Sequence, residues 1–408
     1  MDTHQNDLYK FSDVEKLIPQ AETLEVNRSK SSLTIGVPNE ISYQENRVPL
    51  VPQAVGLLVA NGHRVLIETQ VGKAAHFTDK MFSDVGAEII YEREEVFNAD
   101  LIVKVAPVMP EEIHFLKSRQ TILSSLHIPG QNRKYFEDLM AKKTTAIGYE
   151  FIKDKTGSFP VIRSMSEIVG NASIFIAAKY LEDPDYGKGT LFGGFPGICP
   201  TEVVILGSGT VAEYAARAAL GHGAIVKVFD NSIYKLRRLQ GILNTRISTS
   251  IIQPIVLRKA LKTADVIIGA IHSDEEMSPC IVTEDMVREM TPGSVIIDVS
   301  IDQGGCFETS KPTNHNEPIF IKHDIIHYCV PNIASKVPHT ASYALSNFFT
   351  PILLKMGEEG GIENLLKTDF GFRKGAYLFN GTLTKPYIGN YFGLPYQDIE
   401  LLIAAFGG

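Results

Sequence analysis

The chain has 408 residues, of which 44% are hydrophobic and 21% charged, with a formal net charge of −8. That length predicts two or three domains, with ample apolar material for two cores. The acid excess and the lack of a basic run exclude general phosphate-directed binding of nucleic acid, and no uninterrupted apolar run approaches the roughly 20 residues of a membrane span.

Met1 to Lys30 is polar and contains acids, without the apolar core of a signal peptide. It reads as an extension with one amphipathic helix around Phe11 to Ile18, and a cytoplasmic location with no membrane partner is expected. From Leu33 the pattern changes. Leu33 to Val37 reads as a strand ended by Pro38, Val51 to Ala60 as a helix stopped by Asn61-Gly62, and Arg64 to Glu68 as a strand. Leu101 to Val105 and Thr121 to Leu126 read as strands, Gln131 to Lys142 as a helix, and Thr145 to Gly148 as another strand. Ser164-Met-Ser-Glu167 has capping-box spacing, so a helix is expected from there to about Tyr180. After the Gly/Pro-rich loop Gly193 to Gly197, a second alternating series runs from Thr201 to about Cys329. Beyond Pro338 the pattern is mostly helical, notably Thr340 to Lys355 and Gln397 to Ala405. Such alternation predicts parallel sheets with helices on their faces. The four cysteines, Cys199, Cys280, Cys306 and Cys329, form no CxxC pair, so reduced thiols are expected and no metal site.

Thr201 to Leu206 carries a Val-Val-Ile-Leu run, followed by Gly207-Ser-Gly209-Thr-Val-Ala212 and an Ala-rich helix. The strand Ile225 to Phe229 comes next, with Asp230 at its end, 23 residues past Gly207. This is a dinucleotide fingerprint in full context. Gly207 permits the tight turn, Gly209 lets a pyrophosphate approach the backbone, and Ala212 keeps helix and strand close. The helix N-terminus offers N–H groups to phosphate. Asp230 would accept hydrogen bonds from the adenosine ribose and repel a 2′-phosphate, so NAD is the expected cofactor rather than NADP.

Further segments carry a resemblance: Gly36-Val-Pro-Asn-Glu40 with Glu45-Asn-Arg47-Val, Ser125-Leu-His127, Met165-Ser166-Glu167, the Gly207 loop, Ile301-Asp302-Gln-Gly-Gly305-Cys-Phe-Glu308 and Tyr328-Cys-Val-Pro-Asn332. From about Leu33 to its C-terminus the chain resembles the alanine dehydrogenase and proton-translocating transhydrogenase family, and its Ile301 segment is closer to the alanine dehydrogenases. The resemblance implies two Rossmann-like domains with parallel sheets, the NAD-binding one inserted in the substrate domain. Residues 31–160 and 339–408 would form the substrate domain and 161–338 the NAD-binding domain, after an extension over 1–30. It further implies reversible, NAD-dependent deamination of L-alanine to pyruvate and ammonium by a homohexamer.

Residue by residue, the resemblance makes Arg47 the anchor of the substrate carboxylate, which its planar fork suits. The alternative is a surface arginine paired with Glu45. His127, at a strand's C-terminal end, matches the catalytic histidine, and Asp302 the active-site aspartate; the alternatives are a structural histidine and a turn-forming acid. Ser166 and Asn332 match contacts near the nicotinamide, Lys235 a lysine near the adenosine, and Met165 and Ile333 could pack on the nicotinamide or fill core. One departure stands out. The alanine dehydrogenases carry a substrate-contacting lysine where this chain has Ala106. If the strand continues that far, Lys104 and Ala106 share a face and Lys104 could supply the missing cation; alternatively Lys104 is structural and paired with an acid. A transhydrogenase-like or non-catalytic NAD(H)-binding protein, and a dehydrogenase of another small amino or keto acid, are the rival expectations.

Overall fold

The computed structural model describes residues 31–42, 44–272 and 278–406; the helix expected around Phe11 to Ile18 lies outside them. The described residues form two mostly parallel sheets. The first half builds β1 (Thr34–Val37), α1 (Pro52–Ala60), β2 (Arg64–Glu68), β3 (Glu88–Ile90), β4 (Leu101–Val103), β5 (Thr121–Ser124) and β6 (Thr145–Gly148). Helix α2 (Pro160–Leu181) crosses to the second series: β7 (Glu202–Leu206), α3 (Thr210–Gly221), β8 (Ile225–Phe229), β9 (Ser248–Ser250), β10 (Val266–Gly269), β11 (Val295–Asp298), β12 (Ile319–Lys322) and β13 (Ile325–Tyr328). Helix α4 (Pro338–Glu358) returns the chain to the first sheet, which gains β14 (Ala376–Phe379) and β15 (Thr382–Leu383), and α5 (Ile399–Phe406) ends the described chain.

The first sheet runs β15-β14-β6-β5-β4-β1-β2-β3 and the second β12-β13-β11-β10-β7-β8-β9. From the outer strand inward, each has the doubly wound order, with a switch between its first and fourth strands: β1/β4 in one, β7/β10 in the other. At a switch the connections leave towards opposite faces, so a crevice opens beyond the strands' C-terminal ends. The central strands are continuous apolar runs because both faces are covered, as Val203 to Leu206 and Val295 to Ile297 are at 0% exposure.

Two local expectations need correction and one needs an addition. Ser164 to Glu167 is not a helix start but part of α2, which begins at Pro160, a residue whose fixed φ and missing N–H suit the first helical position. Glu167 instead pairs with Arg163 one turn earlier. Secondly, the region after Pro338 is mostly helical, as expected, but it also carries a hairpin that the pattern did not show. Asn380-Gly381, with φ of 48° and 80°, closes a two-residue turn between antiparallel β14 and β15, and β14 pairs with β6. Thirdly, β4 ends at Val103 and β5 at Ser124, two residues earlier than expected in each case. Lys104 N–H still bonds the Leu123 carbonyl at 3.0 Å and Ser125 N–H the Val105 carbonyl at 3.3 Å, after which the carboxylates of Glu40 and Glu150 take the backbone donors.

By length and composition α2 could cross a membrane, but Arg163, Glu167 and Asn171 interrupt it, and it packs closely on α3. A Cβ on Gly170 would meet the Val211 carbonyl oxygen at 2.5 Å, so this glycine sets the distance between the two helices.

Candidate active site

The dinucleotide loop follows β7. Gly207 has φ +101°, and a Cβ there would stand 2.3 Å from the Ala270 carbonyl oxygen, so only glycine fits. Gly209 caps α3 with nothing within 4 Å of where its Cβ would be, leaving open space beside the helix's first-turn N–H groups. Ala212 is fully buried against the sheet. Asp230 follows β8; its carboxylate accepts from the Ser208 hydroxyl at 2.6 Å and the Ser232 N–H at 2.7 Å. Arg238 donates to the Ser208 carbonyl at 3.2 Å and pins the loop from its other side. Lys235 is exposed one turn into the next helix. An open cradle, free helix N–H groups and a carboxylate after the second strand fit a dinucleotide with an unsubstituted ribose.

At the first sheet's switch, the segment after β1 carries Glu40, Glu45 and Arg47. Arg47 is 9% exposed, not a surface residue. Its Nε and Nη2 donate to the two Glu45 oxygens at 2.7 and 2.5 Å, and Nη1 faces the Met165 sulfur at 3.3 Å. Burial alone would lower the guanidinium pKa, but the Glu45 carboxylate more than offsets it and holds the group charged. Asn332, at φ 59° in the segment returning from the second sheet, donates to the same Glu45 at 2.9 Å. Ser335 adds a second link, accepting from the Asn46 N–H at 2.8 Å and donating to the Gln44 carbonyl at 3.0 Å. The two sheets therefore meet at Arg47. Ser166 is half-buried on α2, next to Met165, and Ile333 is buried beside Asn332.

Lys104 follows β4 and is 0% exposed. Its ammonium lies 3.0 Å from Glu40 and 3.1 Å from Glu112, and these acids keep it charged although burial alone would lower its pKa. Glu112 also pairs with Arg93 at 2.8 Å. Glu40 Oε1 accepts from the backbone N–H groups of Val105 at 2.6 Å and Ala106 at 3.3 Å, which takes Ala106 out of the strand. Tyr149 donates to the Val105 carbonyl at 2.7 Å. Next to it, the buried carboxylate of Glu150 accepts from Leu126 N–H at 2.7 Å and His127 N–H at 3.3 Å, and burial raises its pKa. This clamp lets His127 adopt φ 46° three residues past the end of β5. The imidazole is open to solvent on one side, and the protein packed on the other lowers its pKa.

Asp302 comes from the second sheet, on the turn after β11. It opens into the cleft, yet the protein crowded around it pushes its pKa up to about 6; the Arg47 charge opposes this and Asp298 adds to it. Arg47 and Asp302, from different sheets, thus act on each other across the cleft. Glu40, Glu45, Glu112, Tyr149 and Glu150 were not singled out as site residues from sequence; only Glu40 and Glu45 stood in a recognised motif. A surface groove between α1 and α4 shares no residue with this site. Among the described residues no group of three His, Cys, Asp or Glu side chains could hold a metal, and all four cysteines are free thiols.

This topology and glycine loop define a two-domain α/β protein of the Rossmann-like, dinucleotide-binding class. The family model described as alanine dehydrogenase/PNT, N-terminal domain, matches residues 36–169, and that for the C-terminal domain matches residues 173–386. The chain belongs to the alanine dehydrogenase/PNT family. It is 37% identical over 373 residues to an alanine dehydrogenase of Mycolicibacterium smegmatis, covering 91% of this chain and 100% of that one. It is also 37% identical to one of Bacillus subtilis over 369 residues, or 90% and 97% of the two chains. A solved L-alanine dehydrogenase superposes with a TM-score of 0.84 at 36% identity, over 88% of this chain and 99% of that one. A transhydrogenase from Sinorhizobium meliloti shares the fold, with a TM-score of 0.73 at 19% identity, over 87% and 99%.

Proposed function

We propose that this chain is an NAD-dependent alanine dehydrogenase, converting L-alanine, NAD and water reversibly to pyruvate, ammonium, NADH and a proton. The observation that carries the proposal is the buried Arg47–Glu45 pair, tied through Asn332 to the sheet that bears the dinucleotide cradle, in a chain whose relatives over nine-tenths of its length are alanine dehydrogenases. Bound NAD supplies the acceptor for the hydride leaving the substrate carbon. Gly207, Gly209 and Ala212 with the N-terminus of α3 hold its pyrophosphate, and Asp230 holds the adenosine ribose and disfavours NADP. Lys235 would lie towards the adenosine, and Ser166 and Asn332 towards the nicotinamide. Arg47 binds the substrate carboxylate through Nη1, the edge that Glu45 leaves available, while Glu45 fixes the plane of the fork. His127, largely neutral at neutral pH, takes a proton from the water that adds to the substrate carbon and returns it to the oxygen in the reverse direction. Asp302, ionised above about pH 6, accepts hydrogen bonds from the amine and the water. The protein works as a cytoplasmic homohexamer; light scattering showing a stable monomer at micromolar concentration would refute the assembly.

One observation favours a second reading, NAD(H) binding without turnover, as in a transhydrogenase-like or non-catalytic relative. Ala106 stands at the lysine position of the alanine dehydrogenases, and the Lys104 ammonium is engaged by two buried carboxylates. The test is a spectrophotometric assay of purified protein in both directions, with L-alanine and NAD and with pyruvate, ammonium and NADH. Other small amino and keto acids run in parallel. Turnover of alanine supports the proposal, turnover of another acid alone replaces the substrate, and NADH binding with no turnover supports the second reading.

A further inference from the structure

Asp302 sits on a tight turn, and that turn is wound around one side chain. Asp298, the last residue of β11, is 0% exposed. Its Oδ1 accepts from the Ser300 N–H at 3.0 Å, and the Cys306 thiol lies 3.7 Å from the same oxygen. Its Oδ2 accepts from the Cys306 N–H at 3.1 Å and the Ser310 hydroxyl at 2.6 Å. One carboxylate thus gathers the start of the turn, its end and the segment beyond. The chain closes tightly enough around it that a Cβ on Gly305 would stand 2.6 Å from Oδ2, and one on Gly269 2.9 Å from Oδ1. Gly304 and Gly305, at φ 93° and 86°, supply the left-handed backbone that this wrapping needs.

We propose that Asp298 is the positioning residue of this site: its carboxylate anchors residues 299–310 and so fixes where Asp302 presents its own carboxylate. Two N–H groups, a hydroxyl and a thiol converge on two oxygens, which suits an acid and not an amide. In Asp298→Asn one face would turn an NH2 group towards donors, and at least one of the four bonds is lost. The second consequence is electrostatic. The groups acting on Asp302 are Arg47, from the segment after β1, and Asp298 itself, and the Asp298 charge makes Asp302 harder to ionise. Asp298 in turn faces Cys306, Ser310 and Cys329, whose thiol it pushes up to about 12 together with burial. The role assigned to Asp302 rests on the dehydrogenase reading, but the anchor can be measured without any turnover.

The experiment compares full-length wild type, Asp298→Asn and Ser310→Ala by hydrogen exchange of peptides within 299–310 and by the pH profile of alanine oxidation. In Asp298→Asn, exchange in 299–310 speeds up about tenfold or more while β7 and β8 keep their protection. Turnover falls about tenfold or more with the NADH dissociation constant nearly unchanged, since a misplaced acid costs rate and not cofactor binding. The acid limb of its profile moves to lower pH, because a like charge has left. Ser310→Ala loosens the same peptides less and leaves the limb where it was, because the Asp298 charge stays. Wild-type protection of 299–310 in Asp298→Asn, or an unmoved acid limb, overturns the proposal. If Asp298→Asn does not fold, unchanged protection in Ser310→Ala overturns it. If wild type turns over no substrate, the dehydrogenase reading fails and the exchange measurement alone decides the anchor.

Discussion

Replacing Lys104 with methionine separates its two roles. The ammonium sits in a chain of charges that runs Glu68, Arg93, Glu112, Lys104, Glu40, with contacts of 3.2, 2.8, 3.1 and 3.0 Å. Methionine keeps most of the volume and removes the charge. Glu112, at 0% exposure, retains Arg93 and the Met109 N–H at 2.8 Å. Glu40, at 3%, retains only the two backbone donors of Val105 and Ala106. Breaking a buried pair by removing one partner costs on the order of 3–5 kcal/mol, and the support from Arg93 points to the lower end, about 3 kcal/mol near neutral pH. The sign with pH follows from Glu40. Burial already raises its pKa above 4.5 against the pull of Lys104, so losing Lys104 raises it further. A carboxyl with a raised folded-state pKa stabilises below its unfolded value and loses that contribution as pH climbs through the folded one. The deficit is therefore smaller at pH 5 than at pH 8. Urea unfolding at the two pH values, with slopes compared, measures it. A deficit under about 1 kcal/mol at the higher pH, or one that does not shrink in acid, refutes the reasoning. Turnover per folded molecule settles the other role. A lysine that reaches substrate loses about tenfold or more on replacement, about 1.4 kcal/mol, whereas a lysine that only pairs Glu40 and Glu112 leaves turnover nearly intact. In the second case Ala106→Lys raises activity.

Asp230→Ala weakens NAD binding by the loss of charge-assisted hydrogen bonds of about 1.5–3 kcal/mol, and calorimetry on the unaltered protein finds NADP weaker than NAD; equal affinities would sink the ribose assignment. His127→Ala abolishes turnover while NADH still binds, since the histidine and the cradle belong to different sheets; activity within a few-fold of wild type removes His127 from the mechanism. The rate of alanine oxidation falls as pH drops through about 6, where Asp302 takes up a proton, and Asp302→Asn loses most of the rate and keeps only the acid limb that protonation of His127 sets. A wild-type profile flat through that range contradicts the role of Asp302.

Much of the fold was legible because its signals are local. Arg64 to Glu68, Thr145 to Gly148 and Ile225 to Phe229 are apolar runs bounded by breakers, and each is a strand at the expected residues. The fingerprint was legible because a tight turn and a close approach of phosphate each demand a small residue at a fixed spacing. What sequence could not supply were contacts between distant segments. Asn380-Gly381 is a hairpin signal, but a strand of four residues in a largely helical stretch gives little periodicity to read. Lys104 was placed on the face of Ala106 by strand periodicity. The periodicity stops because Glu40, more than 60 positions earlier, captures the backbone donors of Val105 and Ala106. Arg47 was correctly paired with Glu45 in the alternative expectation, but its burial comes from Asn332, Met165 and the second sheet, none of them near in sequence.

Glu40 is one of four acids that do the same physical work. Where a parallel strand ends at a crevice, its backbone N–H groups lose their neighbour before they reach water, and each needs an acceptor. Glu68 serves Asn39 after β1, Glu40 serves Val105 and Ala106 after β4, Glu150 serves Leu126 and His127 after β5, and Asp298 serves Ser300 and Cys306 around the turn after β11. A carboxylate suits the task because it accepts several bonds at once and donates none when ionised. The same choice concentrates negative charge at the cleft's rim. Burial raises the pKa of Glu40, Glu150 and Asp298, and it raises that of Asp302 to about 6 with Asp298 adding to it. Arg47, Lys104 and Arg93 supply the opposing charge from the first sheet. Of the four strand-ending acids, Asp298 thus also acts on the proton affinity of Asp302. Any substitution among these acids should be judged on both counts, by exchange of the backbone it holds and by the pH at which activity fails.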